Sequence, residues 1–200
     1  MSHYFDASPG AAARRRTIRV TLRGADVEVL TDAGVFSGDR LDPGTAVLLR
    51  TVPDPPATGT LVDLGCGWGP IALAMARAAP AARVLAVDVN QRALELTAAN
   101  AARLDLDNIE TWMPDDLLAA EPDLRITQMW SNPPIRVGKA VLHELLRTWL
   151  ARMADGGLAH LVAGKNLGAD SLQRWIASEL GMDAQRVASS KGFRVLTVRG

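Results

Sequence analysis

The sequence predicts a doubly wound α/β fold with a mostly parallel, seven-stranded sheet. Strand and helix patterns alternate from residue 60 onward, as in chains whose parallel strands are covered by helices on both faces. A glycine-rich turn joins the first strand of this series to its helix. The last two strand patterns follow each other without a helix, which predicts an antiparallel hairpin at one edge of the sheet. A further strand pair near the start predicts an N-terminal β-hairpin extension.

Composition and charge fit one globular domain. Of the 200 residues, 48% are apolar and 22% are charged, which excludes a disordered or fibrous protein. The net charge is zero, so contact with nucleic acid would need a local basic patch. The single cysteine leaves too few thiolates for a zinc or iron–sulfur site, so we expect no metal. We expect a monomer or homodimer that is cytoplasmic and not bound to membranes, because the chain has neither a long apolar run nor a secretory signal.

The N-terminal region is expected to form a hairpin that packs on the main domain. Apolar and polar residues alternate from 17 to 23, as in a half-buried strand. Gly24 then allows a turn, and residues 27–30 continue as a second strand. A stiff connector with three prolines begins at Pro53, and strand and helix patterns alternate after it, so we assign residues 1–52 to the extension and residues 53–200 to the main domain.

The main domain begins with a β-α-β-α series. Residues 60–64 (T-L-V-D-L) have the character of a buried strand, and Pro70 suits the first turn of a helix at 71–79. The next strand, 84–88, precedes Asn90, a residue type that commonly caps the start of a helix. The same patterns predict strands at about 109–113, 126–130, 157–163, 183–189 and 193–199, helices at about 139–153 and 170–180, and a loop at 34–43.

The glycine turn D-L-G-C-G-W-G-P ends one strand and begins a helix, where backbone approaches a ligand closely. Gly65, Gly67 and Gly69 give that access because they have no Cβ. A dinucleotide-binding turn has the spacing G-x-G-x-x-G, whereas Pro70 stands at its last position here, which disfavours a pyrophosphate. Asp63, just ahead of the glycines, could bind the amino group of an amino-acid-bearing cofactor, directly or through water.

Carboxylates that follow the next two strands are candidates for binding the rest of the cofactor. Asp88 ends the strand after the glycine turn, where a carboxylate can accept hydrogen bonds from two ribose hydroxyls. After the third strand, Asp115 or its neighbour Asp116 could accept from an adenine amino group. Capping of the turn before Leu117 explains either of these two residues equally well.

The N-P-P sequence after the fourth strand is the candidate catalytic motif. Pro133 and Pro134 fix their own φ angles and hold Asn132 in extended backbone. The Asn132 side chain and the Pro133 carbonyl are thus rigid hydrogen-bond acceptors. An exocyclic amine is a poor nucleophile because its lone pair is delocalised, and two acceptors can direct that lone pair toward a methyl donor. Without the glycine turn upstream, a structural loop would be the simpler interpretation.

Taken together, these motifs resemble those of a known family. The segments D-L-G-C-G-W-G-P, V-D-V-N and S-N-P-P-I-R-V-G-K are similar to those of class I, Rossmann-like methyltransferases of the small-domain type, related to ribosomal RNA guanine-N2 methyltransferases. T-D-A-G-V-F-S, L-D-P-G-T and K-G-F-R-V-L extend the resemblance over nearly the whole chain. The resemblance implies S-adenosylmethionine as methyl donor, RNA as partner, and an exocyclic amine as target, with guanine N2 of ribosomal RNA as the leading expectation.

The resemblance also implies roles for individual residues. It places Asp88 on the cofactor ribose and Asn132 with Pro133 at the target amine. Ile135, which with Pro134 completes the catalytic set, stands where adenine and glutamine methyltransferases usually have an aromatic residue. It can pack against a base but cannot stack on it, which argues against those two targets. Residues of the matching segments that we add as cofactor-binding candidates are Phe36, Ser37, Cys66, Val89 and Asn132.

Basic residues are the substrate-binding candidates. Arg136 and Lys139 could hold a substrate phosphate or simply flank the helix that follows them. Arg14, Arg15 and Arg16 occur with no acid between them, and RNA contact and a solvated strand face are equally consistent with this pattern. We also expect the chain to lack the duplicated N-terminal domain of larger relatives, so that its substrate recognition differs from theirs.

Other functions are compatible with parts of the sequence. The same chemistry could act on a protein or a small metabolite, which the zero net charge favours. An RNA-binding module could keep the fold without activity, but the presence of Asp63, Asp88 and Asn132 argues against that interpretation. A nicotinamide oxidoreductase is disfavoured by the glycine spacing.

Overall fold

The elements of the fold follow the predicted alternation of strands and helices. The computed structural model describes residues 15–33 and 35–200, and only the backbone of Arg136. The strands are β1 (Arg16–Leu22), β2 (Ala25–Thr31), β3 (Thr60–Leu64), β4 (Arg83–Val87), β5 (Ile109–Trp112), β6 (Ile126–Ser131), β7 (Met153–Gly164), β8 (Ala184–Ser190) and β9 (Phe193–Arg199). The α-helices are α1 (Pro43–Thr51), α2 (Pro70–Ala78), α3 (Gln91–Arg103), α4 (Pro114–Ala120), α5 (Lys139–Leu150) and α6 (Ala169–Glu179).

The main sheet has the strand order β5-β4-β3-β6-β7-β9-β8. Neighbouring strands from β5 to β7 are parallel, whereas β9 runs antiparallel to both β7 and β8. Strands β1 and β2 form a separate antiparallel hairpin. The predicted doubly wound sheet, with its antiparallel edge and its N-terminal hairpin, is therefore confirmed.

Two apolar cores hold the helices against the sheet, one on each face. Successive residues of a strand point to opposite faces, so Leu61 of β3 belongs to one core and Val62 to the other. The first core contains residues of α1, α2 and α3, and the second contains residues of α4, α5 and α6. Burial on both faces explains why β3 and β4 are nearly continuous apolar runs. Among the described residues, no helix has the length and apolar character that crossing a bilayer requires.

Helices α1 and α4 were not expected from the sequence patterns. They have nine and seven residues, which leaves only a weak helical period, and neither follows a glycine turn like the one that located the nine-residue α2. Each has proline in its first turn, a position where the missing N–H costs nothing. In addition, Asp42 caps α1, because its Oδ1 accepts a hydrogen bond from Thr45 N at 2.9 Å. The D-P-G-T sequence was therefore a helix start signal directly after the predicted loop.

The boundary between α5 and β7 also differs from the prediction. The helix predicted at 139–153 is too long, because α5 ends at Leu150 and β7 begins at Met153. The segment A-D-G-G after Met153 has residues typical of a turn, so the sequence pattern does not indicate that the strand begins there. The pairing of β6 with β7 has a register irregularity in this region, as expected for a bulged strand.

The two loops that carry the motifs meet where the strand order reverses. The chain runs from β3 to β4 and β5 on one side and then returns to β6 and β7 on the other. Ligands bind at such a switch point, beyond the carboxyl ends of the parallel strands. Leu64 of β3 pairs with Ser131 of β6, and the Ser131 hydroxyl donates to the Leu64 carbonyl at 2.6 Å. The glycine turn and the N-P-P loop are thereby fixed side by side.

The N-terminal hairpin is attached to the main domain through Asn100 of α3. Its Oδ1 accepts a hydrogen bond from Leu30 N at 2.6 Å, and its Nδ2 donates to the carbonyls of Leu30 and Trp68, both at 2.9 Å. Asn100 is fully buried, so these bonds replace the water that its amide would otherwise lose. Arg23, at the hairpin turn, donates to the Leu49 carbonyl of α1 at 2.8 Å.

A buried histidine bridges three strands of the sheet. His160 of β7 lies between Gln128 of β6 and Thr197 of β9, with Nε2 3.0 Å from Gln128 Nε2 and Nδ1 2.9 Å from Thr197 Oγ1. A neutral imidazole has one donor and one acceptor nitrogen and suits both neighbours. Burial lowers the pKa of His160 from 6.5 to about 4, because an imidazolium at this position would lose its hydration.

We predict that His160 destabilises the fold in mild acid. Between pH 6.5 and about 4 the unfolded chain binds a proton on this residue and the folded chain does not, so the free energy of unfolding falls as the pH is lowered through this window. The full effect is about 3 kcal/mol. Urea unfolding of the wild type and of His160→Gln across this range measures it. Equal pH slopes for the two proteins would contradict the prediction.

Candidate active site

The glycine turn leaves open space above its backbone. Gly65 and Gly67 have φ values of 80° and 59°, and a Cβ placed on Gly65 would meet none of the described atoms within 4 Å. Of the described atoms, only Val35 would come within reach of a Cβ on Gly67, at 3.9 Å. At Gly69 a Cβ would lie 2.9 Å from the Thr97 side chain. The first two glycines therefore expose backbone to a ligand, while Gly69 allows close packing on α3.

Asp88 connects the end of β4 to the glycine turn. Its Oδ2 accepts a hydrogen bond from Gly67 N and its Oδ1 accepts one from Asn90 N, both at 2.9 Å. Burial raises the pKa of Asp88, and the hydrogen bonds from backbone N–H groups oppose that shift. Each carboxylate oxygen has further lone-pair capacity, so Asp88 can still accept from ligand hydroxyls. The predicted ribose-binding residue thus also determines the shape of the turn.

Asp63 is fully buried beneath the turn. Its Oδ2 accepts a hydrogen bond from Ala72 N at 2.9 Å, whereas its Oδ1 has no partner among the described residues. Burial raises the pKa of Asp63 to about 8, the bond from Ala72 N opposes this shift, and the charge of Asp88 adds to it. The side chain therefore holds a proton at neutral pH. It fixes the first turn of α2 and keeps one oxygen free for a further hydrogen bond.

The Asn132 amide is oriented by the start of α1. Its Nδ2 donates to Asp42 Oδ1 at 2.8 Å and to Thr45 Oγ1 at 3.1 Å. Within the part of the chain that the structure describes, its Oδ1 accepts no hydrogen bond. The Pro133 carbonyl accepts from Ile135 N at 2.8 Å and retains a second lone pair. The loop therefore has two acceptor atoms, one on the Asn132 side chain and one on the Pro133 backbone.

One cleft brings the two motif loops together. The predicted site residues that line it are Phe36, Ser37, Gly65, Cys66, Gly67 and Asn132. Phe36 is 63% exposed there, which is unusual for a phenylalanine and leaves its ring accessible. Burial keeps the pKa of the Cys66 thiol above its ordinary value, so this residue stays neutral. The cleft is also lined by residues outside the predicted set of site residues, namely Asp42, Thr45, Trp68, Pro70 and Ile71.

Other predicted cofactor residues lie at the same edge of the sheet but do not line this cleft. Asp88 and Val89 directly follow β4, which is next to β3. Asp115 and Asp116 are exposed in the first turn of α4, after β5. Acidic side chains stabilise the start of a helix, so this placement fits their alternative role as helix-terminal residues. Their predicted contact with adenine stays a prediction.

The residues after the N-P-P motif divide between the core and the surface. Ile135 is half-buried and packs against the second core, so only part of its side chain remains for contact with a base. Pro134 directly precedes a short 3-10 helix, Ile135–Val137. Lys139 is exposed in the first turn of α5. The side chain of Arg136 lies outside the described part of the chain.

The N-terminal arginines are not a purely basic patch once the chain is folded. Arg15 lies 3.7 Å from Glu95 of α3, and both side chains are about half exposed. Such exposed pairs contribute little to stability, so Arg15 remains accessible to other anions. Arg16 is exposed at the start of β1, and Arg14 lies outside the described residues. RNA contact by these residues stays a prediction.

Comparison with known protein families matches the methyltransferase small domain to residues 26–197, which includes both motif loops. Among curated proteins, the chain is 29% identical to the uncharacterized protein YbxB of Bacillus subtilis (strain 168), over 98% of both chains. It is 32% identical to ribosomal RNA small subunit methyltransferase C of Pseudomonas aeruginosa (strain LESB58), over 96% of this chain and 57% of that protein. The chain thus spans little more than half the length of the latter relative.

Solved structures show the same fold. The 16S rRNA N2 methyltransferase RsmC of T. thermophilus, in complex with AdoMet and guanosine, has a TM-score of 0.79 at 23% identity and covers 96% of this chain and 52% of its own. A SAM-dependent methyltransferase from Aquifex aeolicus has a TM-score of 0.63 at 14% identity and covers 78% of this chain and 89% of its own. At these identities the similarity concerns the fold and not the substrate.

We predict that Asp63 makes the fold less stable as the pH rises. From about pH 4 to 8 the folded chain holds a proton on this residue that the unfolded chain has lost, so the free energy of unfolding falls with increasing pH. Asp63→Asn removes this titration and keeps an acceptor for Ala72 N. The unfolding free energy of Asp63→Asn minus that of the wild type should therefore increase between about pH 4 and pH 8, by at most on the order of 5 kcal/mol.

Urea unfolding at pH 5 and pH 8 measures this difference. A variant whose stability relative to the wild type is the same at both pH values would mean that Asp63 titrates in its ordinary range.

Proposed function

Because the chain belongs to the methyltransferase small domain family, we propose that it transfers a methyl group to the exocyclic N2 amine of guanine in ribosomal RNA. Its membership confirms the prediction of an S-adenosylmethionine-dependent methyltransferase. We infer the target amine and the residues that bind it from the geometry of the cleft. The observation that carries it is the Asn132 amide, whose Nδ2 is held by Asp42 while its Oδ1 is left for the substrate.

We place the cofactor across the carboxyl ends of β3 and β4. S-adenosylmethionine supplies an electrophilic methyl group on a sulfonium sulfur. The open backbone at Gly65 and Gly67 fits a ligand lying directly on the turn. Asp88 has acceptor capacity for the ribose hydroxyls, and the free Oδ1 of Asp63 can hydrogen-bond a water molecule that in turn accepts from the amino group. The other residues that we propose to contact the cofactor are Phe36, Ser37, Cys66, Gly69, Val89, and Asp115 or Asp116.

In our proposal, the N-P-P loop activates the amine by orientation. Asn132 Oδ1 and the Pro133 carbonyl each accept one hydrogen of the amine, which directs its lone pair toward the methyl donor. Both acceptors are positioned before the substrate arrives, because Asn132 is bonded to α1 and Pro133 is rigid. The nitrogen loses its excess proton after it has gained the methyl group, so no base of tuned pKa is required for the transfer. Pro134 keeps the loop rigid, and Ile135 packs beside the base.

Ribosomal RNA is the proposed substrate because relatives with this function resemble the chain. The Pseudomonas relative is named as a ribosomal RNA methyltransferase, and the T. thermophilus structure contains guanosine. Phosphate contacts from Arg14, Arg15, Arg16, Arg136 and Lys139 would supply affinity that the neutral chain as a whole lacks. A protein or small-metabolite target is the second candidate, since the net charge of zero favours no polyanion.

Transfer of labelled methyl groups distinguishes the two candidates. Purified protein and labelled cofactor are incubated with ribosomal subunits, with free ribosomal RNA, and with protein and metabolite fractions of the same cells. Mass spectrometry of digested nucleosides then identifies the modified base. Appearance of N2-methylguanosine supports the proposal, whereas label confined to protein or metabolites would replace it with the second candidate.

We predict that Asn132→Ala lowers single-turnover methyl transfer about 10²- to 10³-fold, because it removes one of the two acceptors of the amine. Cofactor affinity should change little, since the side chain is assigned to the substrate half of the cleft. Single-turnover transfer and calorimetric titration of the cofactor measure the two effects. Transfer at the wild-type rate would contradict the role in orientation, and lost cofactor binding would assign Asn132 to the cofactor half.

We predict that Asp88→Ala weakens S-adenosylmethionine binding about 30-fold, which corresponds to about 2 kcal/mol for hydrogen bonds to a charged group. The same change leaves the N–H groups of Gly67 and Asn90 without their acceptor, so the free energy of unfolding should fall by about 1–3 kcal/mol. Asp88→Asn, which keeps one acceptor oxygen, is the matched control. Its cofactor affinity and its free energy of unfolding should lie between those of the wild type and those of Asp88→Ala. Unchanged cofactor affinity in Asp88→Ala would remove this residue from the site.

A further inference from the structure

We infer that Asp42 is a positioning residue that fixes the orientation of the Asn132 amide. This inference rests on the proposed function and concerns the same cleft. Asp42 Oδ1 lies 2.8 Å from Asn132 Nδ2, although the two residues are 90 positions apart in the chain. A carboxylate oxygen can only accept hydrogen bonds, so the amide must turn its nitrogen toward Asp42. The amide oxygen, on the other branch of the planar group, is then left for the substrate.

The second neighbour of the amide does not have this effect. Thr45 Oγ1 lies 3.1 Å from Asn132 Nδ2. A hydroxyl can donate as well as accept, so Thr45 would suit either orientation of the amide. An amide turned the other way would present two N–H donors to an amine that itself needs acceptors. Of these two contacts, the carboxylate is therefore the one that selects the productive orientation.

Asp42 is itself held firmly. It caps α1 through the bond from Thr45 N at 2.9 Å, which fixes its carboxylate to the backbone. The helix is anchored by fully buried residues such as Leu48. Gly44 permits the close packing, because a Cβ there would lie 3.0 Å from Asp42 Oδ1 and 2.9 Å from the ring of Phe193 in β9. The cap, the helix and β9 thus form a rigid support for one side chain of the proposed active site.

Asp42→Ser tests this role, because serine is also a good N-cap but has no carboxylate. We expect thermal unfolding and cofactor affinity close to those of the wild type, and single-turnover methyl transfer to ribosomal RNA that is roughly 10- to 100-fold slower. If Asp42 acts through Asn132, the double variant Asp42→Ser, Asn132→Ala should be no slower than Asn132→Ala alone. Multiplied effects in the double variant, or wild-type transfer by Asp42→Ser, would overturn the inference.

A readout that does not depend on activity separates this inference from the proposed function. In the wild type the side-chain NH₂ signals of Asn132, assigned by their loss in Asn132→Ala, should exchange slowly with solvent because both neighbours accept from Nδ2. In Asp42→Ser they should exchange faster, while backbone amides of α1 stay protected. Unaltered Asn132 signals would overturn the inference. Absence of methyl transfer by the wild type would instead reject the proposed substrate, and the exchange data would still decide the role of Asp42.

Asp42→Asn provides a second variant in case serine weakens the helix. Asparagine caps equally well, and the Oδ1 atom that accepts from Thr45 N in the cap is the same atom that accepts from Asn132 Nδ2. Asp42→Asn should therefore keep the Asn132 amide in its productive orientation and transfer methyl groups faster than Asp42→Ser does. Transfer by Asp42→Asn as slow as that by Asp42→Ser, with helix α1 intact, would contradict orientation by this oxygen.

Discussion

The arrangement of the cleft depends on the pairing of β3 with β6. These strands are distant in sequence, yet their last residues, Leu64 and Ser131, are neighbours joined by a hydrogen bond from the Ser131 hydroxyl. Because side chains alternate along a strand, a slip of one residue would exchange the two apolar cores and separate the loops that follow. Burial of both faces makes such a slip costly. The relative position of the glycine turn and the N-P-P loop is therefore a consequence of the packing of the whole sheet.

Three aspartates at this edge each bind backbone beside the proposed site. Asp42 caps α1, Asp63 binds the start of α2, and Asp88 binds the glycine turn. A side chain already fixed by backbone hydrogen bonds loses little conformational freedom when a ligand arrives, which favours tight and specific binding. Because each of these residues also holds the backbone in place, its substitution is expected to change both stability and function, so the two must be measured separately.

Most of the fold and half of the cleft were predictable from the sequence, because glycine turns, proline pairs and strand ends are local signals. Gly65, Gly67 and Asn132 were identified in this way, Phe36 was identified through the family resemblance, and all four line one cleft. The contact between Asp42 and Asn132 was not, since it joins segments whose proximity only the folded sheet creates. The pairing of Arg15 with Glu95 has the same cause. Short helices such as α1 were missed because capping, and not periodicity, defines them.

The side chain of Asn100 couples the N-terminal hairpin to the glycine turn. It binds the backbone of Leu30 in the hairpin and the carbonyl of Trp68 in the turn with one planar amide. Displacement of the hairpin would release that amide and weaken its hold on Trp68. Coupling of this kind is reciprocal in free energy, so a ligand that orders the turn also favours the docked hairpin to the same extent. The small β-hairpin is thus thermodynamically linked to the cleft through the Asn100 side chain.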